Sequence, residues 1–173
     1  MSIDELIALF HHRWSAPVLA ELRRTRGTRF VVLAKALGVG RESLRRTLDA
    51  LIELDLVRRN PGYGHPLRPE YVLTPPGEQA AERCERLLGL LDGDADVALK
   101  KWSLPVLVAL ARPARFSELR ELLPQATARA LALALKDLEA ARLVRRQVRG
   151  TYPPSTLYAA TPRGERLRRA LAS

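Results

Sequence analysis

The sequence predicts a mainly α fold with small β wings, laid out as two tandem copies of one unit. Three observations predict it: an internal repeat, leucines at helical spacing, and short strand-like runs broken by Gly and Pro. Moving 87 positions along from Leu44, Leu48, Leu51, Leu56, Val57, Arg58 and Arg59 lands on Leu131, Leu135, Leu138, Leu143, Val144, Arg145 and Arg146, every identity kept. The same shift carries Pro66 to Pro153, Tyr71 to Tyr158, Thr74-Pro75 to Thr161-Pro162 and Gly77-Glu78 to Gly164-Glu165. Chance similarity does not hold register over that distance, so the expected domains are residues 1–92 and 93–173.

Each copy begins with a helix. In copy one, Ser2-x-x-Glu5 has the form of a capping box, and Ile3, Leu6, Ile7 and Phe10 recur at helical spacing, so an amphipathic helix is expected over residues 3–12. His11-His12 at its end do not share a helix face and have no cysteine or carboxylate cluster nearby, so no metal site is expected. Trp14-Ser15-Ala16-Pro17 opens the next helix, with Ser15 as the expected N-cap and Pro17 in the first turn, where its missing N–H costs nothing. Trp102-Ser103-Leu104-Pro105 is its partner in copy two.

A third helix follows a basic turn in each copy, from Arg29-Phe30 to Leu37 and from Arg115-Phe116 to Leu123. Phe30, Leu33 and Leu37 match Phe116, Leu119 and Leu123 at the spacing of one packed face. Gly38-Val39-Gly40 and Pro124-Gln125-Ala126 then make the short turns of two helix-turn-helix units. The fourth helix of copy one is Arg41 to Leu51. Its Leu44, Leu48 and Leu51 fall within about 60° of one another, leaving Glu42, Arg46 and Asp49 opposite, with Arg41 and Arg45 on the flank. One face packs and the other is presented.

Leu56-Val57-Arg58-Arg59 and Tyr71-Val72-Leu73-Thr74 read as a hairpin whose tip holds Tyr63, His65 and Arg68. Its counterpart runs from Leu143 to Arg149 and from Leu157 to Thr161, with Thr151 and Tyr152 at the tip. Thr74-Pro75 and Thr161-Pro162 have the form of an N-cap plus first-turn proline, opening helices over about 75–91 and 162–172. The only obvious break between the copies is Asp92-Gly93-Asp94-Ala95-Asp96. The predicted class is therefore tandem winged helix-turn-helix domains.

The detail resembles the HxlR type of bacterial transcriptional regulators, relatives of the MarR group. Copy two supplies Lys101-Trp102, Arg115-Phe116-Ser117-Glu118-Leu119, the leucines 131, 135 and 138, Leu143-Val144-Arg145-Arg146, Tyr158 and Thr161-Pro162-Arg163-Gly164. Copy one is looser, keeping Arg13-Trp14, Arg29-Phe30 and Thr74-Pro75-Pro76-Gly77 but holding Val31-Val32 where Ser-Glu is usual. Members of the family are usually single units that dimerise, whereas this chain carries both. Asp55 and Arg142 replace the glycine common before Leu-Val, and no cysteine stands near the first helix, where redox-responsive members carry their sensor.

Composition agrees with a polyanionic partner. The formal charge is +10, with 29 Lys and Arg against 19 Asp and Glu. Residues 1–92 hold 14 basic and 12 acidic residues and residues 93–173 hold 15 and 7, so the copies carry +2 and +8. A solvated basic surface is the alternative. The basic residues are nearly all Arg, and Ala and Leu abound, as in bacteria with GC-rich genomes. No apolar run approaches the ~20 residues of a membrane span. Asp4 and Glu5 stand where a signal peptide would be positive, so a cytoplasmic protein with no membrane partner is expected. The single Cys84 excludes an internal disulfide and a thiolate zinc site, and a structural role is expected for it.

The resemblance implies double-stranded DNA as the partner, with the fourth helix in the major groove and the wing on the backbone. Base-reading candidates are Arg41, Ser43, Arg45 and Arg46, together with Arg129 and Lys136 on the second copy's outward face. Arginine suits the task because its fork donates two hydrogen bonds to guanine O6 and N7. Glu42 is a candidate for cytosine or, equally, for an ion pair with Arg46 at i+4. Backbone candidates are Arg29, Arg58, Arg59, Arg68, Arg115, Ser117, Arg145, Arg146 and Arg149. Aligning the leucines sets Ala132 and Leu133 opposite Arg45 and Arg46, so copy one is expected to read sequence and copy two to supply backbone affinity or a protein contact.

A monomeric pseudo-dimer is favoured over a homodimer, because linked units meet at an effective concentration of order mM. The rival function is a winged-helix module that binds protein and not DNA, which Leu133 and the Ala-rich second helix favour. Catalysis, cofactors and metals are not expected, since no Gly-rich phosphate loop or His and carboxylate ligand spacing is present. A small-molecule effector pocket lined by Trp14, Trp102 and the leucines of 75–91 and 97–111 has no distinctive polar constellation behind it. Core is the expected role of both tryptophans.

Overall fold

The computed structural model describes residues 2–60, 70–91, 93–150 and 155–172. The chain forms two compact bodies, one of His12–Gly89 and one of Leu90–Ser173 together with Met1–His11. The boundary of the bodies therefore differs from the boundary of the repeat. The first helix, α1 (Ile3–Leu9), explains it, for α1 packs against α7 (Ser103–Ala109) of the second copy and its Leu6 and Leu9 are buried, as is Phe10 after them. Burying a leucine or phenylalanine fully is worth ~1.5–3 kcal/mol, and these three side chains are the apolar anchor that α1 offers the second body. The Ser2 hydroxyl accepts from Glu5 N at 3.1 Å and Ser2 N donates to Glu5 Oε2 at 2.7 Å, which is the expected capping box. Gln125 Nε2 donates to Asp4 Oδ1 at 2.9 Å.

In the first body, α2 (Ser15–Thr25) lies against α5 (Pro75–Leu88). Val18, Leu19 and Leu22 of α2 and Ala80, Ala81, Cys84 and Leu87 of α5 are buried. Arg23 adds ion pairs to Glu85 at 3.1 Å and Glu82 at 3.7 Å. Ser15 is not an N-cap: the helix comes directly out of the preceding turn with Trp14 in the cap position, and Ser15 is turned inward and buried. After α2 the chain makes a strand the sequence did not announce, β1 (Thr28–Arg29). Then follow α3 (Phe30–Leu37), α4 (Arg41–Glu53), β2 (Val57–Asn60) and β3 (Glu70–Leu73), the strands forming an antiparallel sheet in the order β1-β3-β2. Register sets Thr28 opposite Tyr71, and Val57 and Arg59 opposite Leu73 and Tyr71.

The second body repeats the plan. α6 (Ala95–Ala98) occupies the break between copies, and α7, α8 (Phe116–Leu122) and α9 (Ala128–Ala140) follow. β4 (Val144–Arg149) and β5 (Ser155–Ala160) pair antiparallel, and α10 (Pro162–Ala172) closes the chain. Here β1 is reduced to a bridge between Ala114 and Tyr158. The third helices start at Phe30 and Phe116, one residue later than expected, because Arg29 and Arg115 are extended N-cap residues. Thr127 caps α9, its hydroxyl accepting from Ala130 N at 3.1 Å.

One hydrogen-bonded latch recurs and accounts for the most faithfully copied residues. Asp55 and Arg142, standing where glycine is usual, adopt left-handed backbone with φ of 54° and 56°. The Thr74 hydroxyl donates to Asp55 O at 2.5 Å and accepts from Gly77 N at 3.1 Å. The Thr161 hydroxyl donates to Arg142 O at 2.7 Å and accepts from Gly164 N at 3.2 Å. One threonine thus ties the exit of α4 or α9 to the start of α5 or α10, with the wing strands between. Left-handed backbone costs a non-glycine residue roughly 1–2 kcal/mol, offset in part by glycine's greater unfolded freedom. Arg142→Gly is accordingly expected to stabilise the second body by about 0.5–1 kcal/mol in denaturant unfolding.

Candidate nucleic-acid interface

α4 is built to show one face. Leu44, Thr47, Leu48 and Leu51 are buried, while Arg41, Glu42, Ser43, Arg45, Arg46 and Asp49 are exposed. The Thr47 hydroxyl returns to Ser43 O at 2.8 Å, which satisfies a polar group on the packed side. All four base-reading candidates of copy one therefore stand in solvent on consecutive turns.

Glu42 gathers two of them. Arg46 Nε donates to Glu42 Oε1 at 2.9 Å, and Arg45 Nη2 donates to Oε1 at 3.1 Å and Oε2 at 3.0 Å. Hydrogen bonds from Arg45 and then Arg46 hold the Glu42 carboxyl below its ordinary range, and the same carboxylate raises Arg45. The i+4 pair was foreseen from spacing; the i+3 pair with Arg45 was not, although the same spacing rule permits it.

α9 has the same scaffold and a different face. Leu131, Ala134, Leu135 and Leu138 are buried. Outward stand Arg129, Ala132, Leu133 and Lys136, with Leu133 57% exposed. The positions of Glu42, Arg45, Arg46 and Asp49 are thus held by Arg129, Ala132, Leu133 and Lys136. No carboxylate-and-arginine cluster of the α4 kind is possible there.

Of the backbone candidates, Arg58 and Arg59 are exposed on β2, and Arg145 and Arg146 are exposed on β4. Arg29 lies on β1 and approaches Glu70 at 3.8 Å. Arg115 and Ser117 are exposed at the start of α8, where Arg115 N donates to Glu118 Oε2 at 2.5 Å. Ser117 also borders an open cleft of about 370 Å³ with Arg120 and Glu121, a basic position the sequence reading passed over. Arg68, Tyr63, His65, Thr151 and Tyr152, as well as the side chain of Arg149, lie outside the described residues.

The two tryptophans are half-buried rather than core. Arg13 lies over the Trp14 ring at 5.6 Å and Lys101 over the Trp102 ring at 5.2 Å, so the repeated basic-Trp pair is a cation–π contact at each helix start. Trp102 also borders a cavity of about 170 Å³ with Leu133, Ala130 and Lys100, whose ammonium pairs with Asp137 at 2.7 Å. Cys84 is fully buried in α5, and burial pushes its thiol up to about 12, so it stays a protonated thiol at neutral pH. Among the described residues no helix is long and apolar enough to cross a membrane.

A leucine-backed helix presented after a short turn, followed by an arginine-bearing hairpin and a capped closing helix, twice over, defines a tandem winged helix-turn-helix protein. The chain belongs to the HxlR-like helix-turn-helix family, whose model matches residues 9–93 and again 97–173. It is similar to the HTH-type transcriptional regulator YkvN of Bacillus subtilis (strain 168), with 39% identity over 69 residues. That match covers 39% of this chain and 58% of the relative. Among solved structures it is similar to the redox regulator HypR in its oxidised form, at 31% identity and a TM-score of 0.45 over 47% of this chain and 86% of that one. It is also similar to the reduced form of the transcriptional regulator YodB from B. subtilis, at 29% identity and a TM-score of 0.41 over 58% and 86% of the two chains.

Proposed function

We propose that the chain is a sequence-specific, double-stranded-DNA-binding transcriptional regulator of the cytoplasm, without catalytic activity, in which the two repeat copies act as the two halves of a single-chain pseudo-dimer. The observation that carries this reading is the α4 face, where Arg41, Ser43, Arg45 and Arg46 are held in solvent by a buried leucine stripe in a chain of the HxlR-like family. In this arrangement α4 enters the major groove, and Arg58, Arg59, Arg145 and Arg146 of the wings lie near phosphates. Copy one reads bases. Copy two, with Arg129 and Lys136 flanking Ala132 and Leu133 and with the larger net charge, supplies mainly backbone affinity. Covalent linkage brings the halves together at an effective concentration of order mM, so an asymmetric operator suits the chain.

The exposed Leu133 favours a second reading, a module that docks on another protein. Selection of bound duplexes from a random pool, followed by titration of the winner against salt, separates the two. The proposed function expects one enriched sequence and a log-affinity slope of about −0.9 for each phosphate neutralised, with several neutralised. No enrichment together with a shallow slope would favour the protein module.

A further inference from the structure

We infer that Glu42 sets specificity in α4 by sorting its two arginines, assigning Arg46 to a guanine and Arg45 to a phosphate; this rests on the DNA-binding reading above. A guanidinium has two parallel N–H pairs that can span guanine O6 and N7, the side-on pair Nε/Nη2 and the end-on pair Nη1/Nη2. Glu42 takes Nε of Arg46 and so spends the side-on pair, leaving the end-on pair whole. On Arg45 it straddles Nη2, the nitrogen common to both pairs. Arg45 therefore keeps separate donors, which suit single phosphate oxygens better than a base edge.

The carboxylate has a second consequence. It is exposed, ionised and placed on the face that meets a polyanion, so it opposes binding to any duplex. Its cost falls on all sequences alike, whereas the fork it orients is rewarded only where guanine is present. The first effect lowers affinity for every duplex and leaves the ratio of specific to non-specific binding unchanged; the oriented fork is what raises it. The second copy has Arg129 at this position and nothing for it to sort, since Ala132 and Leu133 follow.

The test compares Glu42→Gln, Arg45→Ala and Arg46→Ala with the wild-type chain on three duplexes: the selected one, the same with single guanines replaced, and a random one. All three side chains are exposed, and circular dichroism verifies that the variants fold. Glu42→Gln is expected to bind random duplex about fivefold more tightly, to lose roughly tenfold in preference for the selected one, and to steepen the salt slope by up to about 0.9. Arg46→Ala is expected to erase discrimination at one guanine, and Arg45→Ala to weaken all duplexes by one factor. Equal strengthening of selected and random binding by Glu42→Gln, or Arg45→Ala erasing the guanine preference instead, overturns the inference while leaving the DNA-binding reading intact. A wild-type chain that prefers no duplex overturns both.

Discussion

Gly164→Ala is expected to destabilise the second body by about 3 kcal/mol or more. A Cβ at 164 would lie 2.1 Å from Leu143 O and 3.1 Å from Leu107 Cδ2. The carbonyl is held in place, because Leu143 O accepts from Thr161 N at 3.0 Å. Alanine's advantage over glycine inside a helix, ~1 kcal/mol, is too small to offset this. Gly77 stands in the same relation to Leu56 O, where the added Cβ would come within 1.8 Å. Thermal unfolding followed by circular dichroism should show one of two transitions lowered by roughly 12–24 °C. Gly150→Ala is the control, since nothing lies within 4 Å of its added Cβ, and it should move neither transition measurably. A Gly164→Ala protein that melts with the wild type would mean that α10 does not sit on the turn before β4.

The same latch shows where sequence reasoning ends. That Thr74-Pro75 and Thr161-Pro162 open helices was legible, because an N-cap and a first-turn proline are local signals. That the glycine three residues on packs against a backbone carbonyl was not, since the carbonyl belongs to a residue 21 positions away in both copies, Leu56 for Gly77 and Leu143 for Gly164. The absence of glycine before Leu-Val was visible, yet only the dihedrals reveal that Asp55 and Arg142 take the left-handed form that glycine would have taken.

Helix faces were readable in the long helices, whereas in α3 only Leu33 of the expected Phe30, Leu33 and Leu37 is buried. Leu44, Leu48 and Leu51, with Leu131, Leu135 and Leu138, are buried as their spacing required. β1 has two residues and hence no period, and only its pairing with β3 makes it a strand. The amphipathic stripe of α1 announced that it packs, but a stripe carries no address, and the partner proved to be α7. In the candidate site the exposed arginines were foreseen one by one. What could not be read was their grouping, because whether Glu42 holds one arginine or two depends on side-chain geometry, and sequence spacing allows both.

Transplanting the outward face of α4 onto α9 should turn the second copy into a reader. The triple substitution Arg129→Glu, Ala132→Arg and Leu133→Arg places the Glu42, Arg45 and Arg46 set on a helix of the same length, 13 residues, with the same leucine stripe beneath. All three positions are exposed, so the buried leucine stripe of α9 is left in place, and of the three only Leu133 borders the Trp102 cavity. A bidentate arginine on guanine is worth ~1–3 kcal/mol of discrimination, and the added arginine in the place of Arg46 should therefore gain roughly 5- to 150-fold in preference at a half-site that the natural chain tolerates loosely. Selection from a random pool is expected to change from one well-defined half-site to two of related sequence. Arg129→Ala alone, by contrast, should lower affinity for every duplex by a similar factor, whereas Arg46→Ala should flatten the preference itself. If Arg129→Ala costs as much specificity as Arg46→Ala, copy two already reads bases. The division of labour between identical scaffolds would then be wrong, whatever the grafted chain does.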